Sequence, residues 1–349
     1  MANKKIFLSG GGTLGSVMPL LALEENLCKR YDCVWVGSFR GPEKEFVKQR
    51  KIKYFGIPSG KMRRYFSLKN ILSPIWIWWG LKFSAVYLLI QRPSLIIVSG
   101  SFVSVPLVWI GWLLGIPIII HQEDMQIGLA GKLTIPFASL VTVAFEKTLK
   151  DIKNKNKSWI GNPVRKMFYS AKTEEAKKKW KKNNLPLVLV LGGGLGSEKI
   201  NKAVVEVARQ YNKKCQILDI TGKDKKVIAK IPNYEQIEKL DDEMAEAMDA
   251  ADIIVSRAGL STLSELAVLG KPVILIPLKS VGQDENARHF ANKGAAIIVN
   301  ENRLETLGTK IIELLGNKQK QKELGDNIKK IFPPAPAKKF LELAEKFLQ

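Results

Sequence analysis

Short apolar runs and stretches of helical period alternate along this chain. The runs fall at Lys4–Leu8, Cys33–Gly37, Lys53–Ile57, Leu95–Val98, Ile116–His121 and Leu140–Val143. Runs this short and continuous suit strands buried on both faces of a parallel sheet. Between them, helical spacing predicts helices from Pro19 to about Lys29 and over Pro42–Arg50, Leu68–Leu89 and Val103–Leu114. Such alternation predicts an α/β fold with helices on both faces of each sheet. After Trp159–Ile160 the pattern restarts, with a strand at Leu187–Leu191 and a helix to about Arg209. The boundary is expected near Gly161-Asn162-Pro163, giving domains 1–162 and 163–333. Lys172–Asn184 is lysine-rich and predicts an exposed helix or linker. Beyond Pro333-Pro334-Ala335-Pro336, an amphipathic helix over Ala337–Leu348 can cross back, assigning 334–349 to the first domain. Two facing Rossmann-like domains with a return helix describe the GT-B architecture.

Each half opens with a strand, a glycine loop and a helix: Ser9-Gly10-Gly11-Gly12-Thr13-Leu14-Gly15-Ser16 and Gly192-Gly193-Gly194-Leu195-Gly196-Ser197. This order cradles phosphates, because glycines admit an anion close to the backbone and the helix N-terminus faces it. Gly10, Gly12 and Gly15 also satisfy G-x-G-x-x-G, which suggests a dinucleotide. The next strand ends in Ser38-Phe39-Arg40, without the acid that holds a ribose hydroxyl in nicotinamide enzymes. That counts against an oxidoreductase.

The richest stretch is 252–286. Ile253–Val255 and Pro272–Ile276 predict strands, and Ser261–Leu269 predicts a helix closed by Gly270. A helix starting at a strand's carboxyl end offers free N–H groups and a positive dipole end, which suit a diphosphate. Glu265, one turn in, can accept from a vicinal diol such as a ribose; its plainer reading is a solvated helix residue, with Ser261 and Thr262 as a simple cap. Gln283, Asp284, Glu285 and Asn286 follow the next strand at the same rim.

Arg257, Gly259, Thr262, Ser264, Glu265 and Gln283-Asp284-Glu285-Asn286-Ala287 resemble the donor signature of two-domain glycosyltransferases that use nucleotide sugars. The family most resembled is the bacterial peptidoglycan enzymes that add N-acetylglucosamine to lipid I. The resemblance runs from residue 6 to about 300 and includes Gly161-Asn162-Pro163-Val164-Arg165. It implies UDP-GlcNAc as co-substrate, a lipid-linked sugar acceptor making lipid II, and a peripheral place on the cytoplasmic face of the plasma membrane. It implies that Arg165, Gly193, Gly194 and the turn Leu260, Ser261, Thr262, Leu263, Ser264, Glu265 hold UDP. Arg257 and Gly259 belong to the same set, and Asp241 and Met244 would meet the uracil. Gln283 and Asn286 would read the sugar hydroxyls. Thr13, Leu14, Gly15 and Asp124 would approach the donor from the first half.

The departures lie in that first half. Where the family carries Gly-Gly-His, this chain has Leu14-Gly15-Ser16, so Ser16 stands at the catalytic histidine's place. The family's His-Glu-Gln-Asn block is His121-Gln122-Glu123-Asp124, and its Gly-Gly-Tyr loop is Gly100-Ser101-Phe102. Attack on a nucleotide sugar needs a base for the acceptor hydroxyl. Glu123 and Asp124 are the candidates; the alternative makes them the cap of a helix over Gln126–Phe137. His121, ending a strand, reads as a packed residue. No Asp-x-Asp triplet for a metal is present, and helix N-termini with Arg165 or Arg257 could steady the departing diphosphate instead.

Length and composition fit two soluble globular domains, but the net charge of +22 implies an anionic partner, nucleic acid or membrane, or merely a lysine-rich surface. From Phe46 to Gln122 there is no acidic residue, and Lys61, Arg63, Arg64 and Lys69 lead into Trp76, Trp78 and Trp79. Cations beside tryptophans suit an anionic membrane surface. RNA binding is the rival, but no RNP or KH pattern is present; a core role for the tryptophans is the other. The apolar runs Ile75–Ile90 and Val105–Ile120 are broken by Lys82 and Pro117 and are short for a span, so both read as buried helix or helix-plus-strand. Met1–Lys5 leads straight into a strand, without a signal-peptide pattern. Cys28, Cys33 and Cys215 show no paired or metal-type spacing, so three free thiols in a reducing compartment are expected. The rivals to lipid II synthesis are transfer to another lipid-linked sugar and a catalytically silent nucleotide-sugar-binding membrane protein.

Overall fold

The computed structural model describes residues 4–12, 15–58, 73–170, 173–194, 196–278 and 282–349. Thr13, Leu14, Lys61, Arg63, Arg64 and Lys69 lie outside the described residues. Contacts divide the chain into one unit of Met1–Arg165 with Pro333–Gln349 and a second of Lys166–Phe332.

In the first unit, β1 (Lys5–Ser9), β2 (Asp32–Ser38), β3 (Lys53–Ile57), β4 (Leu95–Ser99), β5 (Ile118–Gln122), β6 (Leu140–Val143) and β7 (Lys157–Trp159) form one sheet. Its order is β3-β2-β1-β4-β5-β6-β7, with parallel pairings throughout. All five residues of β4 and of β5 are buried, so these runs are apolar because both sheet faces are covered. The crossover helices include α1 (Met18–Leu27), α2 (Glu43–Gln49), α3 (Ser73–Gln91), α4 (Ser104–Leu113) and α5 (Leu129–Thr134). The order reverses direction between β1 and β4, and at such a switch point the loops at the carboxyl ends part to leave a crevice.

The second unit follows the same plan. α6 (Thr173–Trp180) precedes β8 (Leu187–Leu191), α7 (Glu198–Tyr211), β9 (Gln216–Ile220), β10 (Tyr234–Ile237), α8 (Met244–Ala250) and β11 (Ile253–Ser256). Then come α9 (Leu260–Leu269), β12 (Val273–Leu275), α10 (Gln283–Asn292), β13 (Ile297–Ile298), α11 (Leu307–Gly316) and α12 (Lys318–Ile328). The strand order β10-β9-β8-β11-β12-β13 places its switch point between the loops after β8 and β11.

The last helix, α13 (Pro336–Glu345), belongs to the first unit. Phe340, Ala344 and Leu348 enter the core that holds Trp35 and the buried face of α1. Arg30 pairs with Glu345 at 2.8 Å, and Lys4 donates to the carbonyls of Leu348 and Gln349.

Two expectations need correction. Cys28 and Cys33 form a disulfide, leaving Cys215 as the free, buried cysteine. A separation of five residues spans only the turn from α1 into β2, which brings the two Cα atoms to 5.3 Å, well inside bridging range. The helix expected over 126–137 is a single short helix at Leu129–Thr134 followed by a 3-10 turn at Ile135–Phe137. Gly128 caps it with extended backbone and no side-chain bond, so neither Glu123 nor Asp124 is its cap.

Candidate donor and acceptor sites

In the second unit, α9 begins directly beyond β11, with Gly259 as an extended N-cap that has no side chain to cap the helix. Ser261 and Thr262 are half-buried on that turn, whereas Leu260 and Leu263 are buried in the core and offer only backbone. Glu265 is 8% exposed, an unusual position for a carboxylate in mid-helix. Ser264 donates back to the Leu260 carbonyl at 2.8 Å. Two side chains of α10 reach the same turn. Asn286, buried, donates to the Ala258 carbonyl at 3.3 Å; Gln283 accepts the Leu278 N–H at 3.1 Å. A Cβ on Gly259 would sit 3.8 Å from the Gln283 amide nitrogen.

The loop after β8 forms the facing wall of the switch point. Gly193 and Gly194 are exposed, and the Gly196 N–H closes the turn onto the Gly193 carbonyl at 2.9 Å. Gly196 has φ +70°, and a Cβ there would meet the Thr221 carbonyl at 2.0 Å, so only glycine fits. Ser197 then caps α7 by accepting the Ile200 N–H. Arg257 braces this loop from below: its guanidinium donates to Ser197 Oγ at 3.0 Å and the Ile276 carbonyl at 3.1 Å, and pairs with Glu301. Those bonds give Arg257 a supporting role between the two loops. Asp241 pairs with Lys239 at 2.8 Å, and Met244 opens α8, both past the carboxyl end of β10.

In the first unit, the glycine loop holds an anion that belongs to the protein. Glu43 is fully buried and accepts the Gly12 N–H at 3.1 Å, the Ser38 N–H at 2.7 Å and the Ser38 hydroxyl. The Tyr54 hydroxyl, which donates to the Ser38 carbonyl at 2.5 Å, lies 3.4 Å from the carboxylate. Ser16, buried, donates to the Gly11 carbonyl at 3.3 Å within the same loop; Gly15 is exposed beside it. Arg165, also buried, closes the unit's first segment.

His121 is a packed residue. Its ring bonds Thr142 Oγ1 and Asn162 Oδ1, each at 3.0 Å, and burial pushes its pKa down to about 4. Glu123, just past β5, is 9% exposed and accepts a hydrogen bond from the Ser99 hydroxyl at the end of β4. Burial lifts its pKa to about 8, the Ser99 bond opposes that rise, and Asp124 adds to it. Asp124 itself is exposed.

The expected tryptophans are outside the core: Trp76, Trp78 and Trp79 are 45–52% exposed on α3. Lys82 lies over the Trp78 ring at 3.9 Å. Leu89 and Ile90 on α3, with Trp112, Leu113 and Leu114 at the end of the adjoining α4, are exposed too. That second group was missed in the sequence, where it reads as part of a buried helix. Among the described residues no helix is long and apolar enough to cross a membrane, and no cluster of His, Cys, Asp or Glu could hold a metal ion.

The family models decide the relationship. The glycosyltransferase family 28 N-terminal domain matches residues 6–143, and the family 28 C-terminal domain matches 187–340. The chain belongs to glycosyltransferase family 28. A Clostridium botulinum protein named UDP-N-acetylglucosamine--N-acetylmuramyl-(pentapeptide) pyrophosphoryl-undecaprenol N-acetylglucosamine transferase is 38% identical, over 91% of this chain and 92% of its own. A Clostridium tetani protein of the same name is 37% identical over 86% and 87%. The crystal structure of Acinetobacter baumannii MurG is similar at TM-score 0.76 and 21% identity, covering 98% of this chain and 99% of that one. A Neisseria meningitidis UDP-GlcNAc 2-epimerase bound to UDP-GlcNAc reaches 0.71 at 14% identity, covering 98% and 100%. The structural likenesses speak for fold, which is the α/β, GT-B class expected for a family 28 glycosyltransferase. The curated relatives speak for the branch of the family.

Proposed function

We propose that this family 28 enzyme transfers N-acetylglucosamine from UDP-GlcNAc, with inversion, to N-acetylmuramyl-pentapeptide carried on undecaprenyl diphosphate. The observation that carries the donor half is the start of α9, with buried Glu265 one turn in and buried Asn286 of α10 bonded to the Ala258 carbonyl just before it. The N–H groups of the first helical turn and the helix dipole stabilise charge on the departing diphosphate. Glu265 accepts from the ribose, Gln283 and Asn286 read the sugar, and Glu123 takes the proton of the acceptor hydroxyl. The names borne by relatives at 35–38% identity supply the acceptor. The exposed tryptophans of α3 rest on an anionic membrane, which fits a peripheral enzyme of the cytoplasmic face. No nucleic acid is expected as a partner, and turnover should survive chelation of divalent metal.

The test is transfer of labelled GlcNAc to a soluble lipid I analogue. Incorporation into a lipid II-type product supports the reading. Donor hydrolysis without transfer, or transfer only to other lipid-linked sugars, rejects the acceptor assignment.

A further inference from the structure

The carboxyl end of β4 carries a buried serine. Its strand reads Leu-Ile-Ile-Val-Ser, every residue buried, and Ser99 is 0% exposed. A hydroxyl buried in an apolar strand costs stability unless it finds a partner. The partner is Glu123: Ser99 pairs in register with His121, so a side chain two residues past His121 comes within reach of the Ser99 hydroxyl. The other candidate base, Asp124, is exposed.

We propose that Ser99 is a positioning residue for the transfer reaction: its hydroxyl holds one carboxyl oxygen of Glu123 and leaves the other to take the acceptor's proton. This rests on the reading of Glu123 as the base. In the step, the acceptor O–H bond breaks and its proton goes to Glu123. The freed electron pair forms the bond to the anomeric carbon, and the bond from that carbon to the UDP oxygen breaks with its own pair. UDP leaves, and Glu123 returns the proton to solvent. For this the carboxyl must be ionised and fixed, and a donated hydrogen bond from a buried hydroxyl favours both.

The surroundings leave this task to Ser99. Asp124 is the charged group whose field reaches Glu123, and it opposes ionisation. His121, on the same strand end, is held neutral and has both ring nitrogens engaged by Thr142 and Asn162. Burial also works against the charged form. Among the described residues, the Ser99 hydroxyl is the influence that holds the pKa down.

The pH–rate profiles of the wild type, S99A, S99T, S99C and E123Q decide the matter, measured with UDP-GlcNAc and a lipid I analogue. Removing a hydrogen bond to the charged form should move the acid limb of S99A alkaline by about one pH unit. Its kcat at neutral pH should fall ~10-fold, while KM for UDP-GlcNAc stays within about two-fold. S99T, which keeps the hydroxyl, should keep the wild-type limb; S99C, a weaker donor of similar size, should fall between and serves if S99A does not fold. E123Q should abolish the limb. An unshifted limb in S99A, or in S99C should S99A not fold, overturns the Ser99 proposal while E123Q still abolishes the limb. A wild-type profile in E123Q overturns the base itself, and the role of Ser99 with it.

Discussion

The carboxylate of Glu43 accepts the Gly12 N–H at 3.1 Å, inside the loop whose glycine spacing resembles a dinucleotide site. The same carboxylate accepts from the Ser38 N–H and hydroxyl, so the loop after β1 is tied to β2 by one buried side chain, and Tyr54 of β3 joins through the Ser38 carbonyl. Glu43→Ala would take the buried acceptor away from the Gly12 and Ser38 N–H groups and the Ser38 hydroxyl. The expected loss is about 2–4 kcal/mol of stability, since each orphaned group costs its desolvation. Chemical denaturation checks it, and an unchanged midpoint would show that water replaces the carboxylate without cost. The glycine pattern should not add a second nucleotide: titration with UDP should reach one equivalent per chain.

Donor affinity should depend on Glu265. Glu265→Ala is expected to weaken UDP binding by about 1–3 kcal/mol, the usual worth of charge-assisted hydrogen bonds. Gln283→Ala should blur discrimination between GlcNAc and GalNAc donors more than it weakens UDP. Calorimetry with UDP and both sugar nucleotides separates these, and equal loss for UDP and UDP-sugar in the Gln283 variant removes it from sugar recognition.

Binding to anionic vesicles should weaken with salt, because the cations of the acid-free segment are screened. Replacing Trp76, Trp78 and Trp79 by serine should reduce the salt-resistant part. Trp112→Ser with Leu113→Ser should reduce it further, since these residues lie on the adjoining helix and are more exposed still. Sedimentation with neutral and anionic liposomes reads both effects. Equal binding to the two lipids would sink the electrostatic half of the idea.

Asp219 makes a separate prediction about pH and stability. It is fully buried, one oxygen accepts from Tyr234 at 2.9 Å, the other has no partner, and burial raises its pKa to about 6. The folded protein therefore holds this proton more tightly than the unfolded chain. Stability from this group is full below pH 4 and is lost as pH rises toward 6, by on the order of 2 kcal/mol. Asp219→Asn cannot ionise, so its stability difference from the wild type should shift in the mutant's favour across that window. Denaturation at pH 4 and pH 7 compares them; a constant difference refutes the assignment.

The strands that alternate with helices could be read from the chain because burial on both faces demands unbroken apolar runs. Lys53–Ile57, Leu140–Val143 and Leu187–Leu191 agree with the structure at both ends. The strands Gln216–Ile220 and Tyr234–Ile237 are not legible in the sequence because Gln216, Asp219, Glu235 and Gln236 interrupt the pattern. The helix expected over 126–137 exceeds the one observed because Ile127 and Phe137 extend the apolar spacing. Pro136, which has no N–H to donate, ends it in a 3-10 turn. At the site, residues near one another in sequence could be foreseen to meet, as in the start of α9. Glu43 and Ser99 could not, because their partners come from other strands and no short motif records a tertiary bond. The same limit hid the raised pKa of Glu123: its residue type implies an acid limb at an ordinary carboxylate value, and burial moves it to about 8.

The return of α13 sets an order on synthesis at the ribosome. Phe340, Ala344 and Leu348 fill the core built by α1 and Trp35, so the first unit lacks part of its interior until Leu348 has emerged. The second unit, Lys166–Phe332, is continuous and complete before that point. Domains fold as units and usually from the amino end. Here the amino-terminal unit should be the later one to acquire protection from proteolysis on stalled nascent chains, and truncation before Phe340 should expose the apolar face of α1 while leaving the second unit folded.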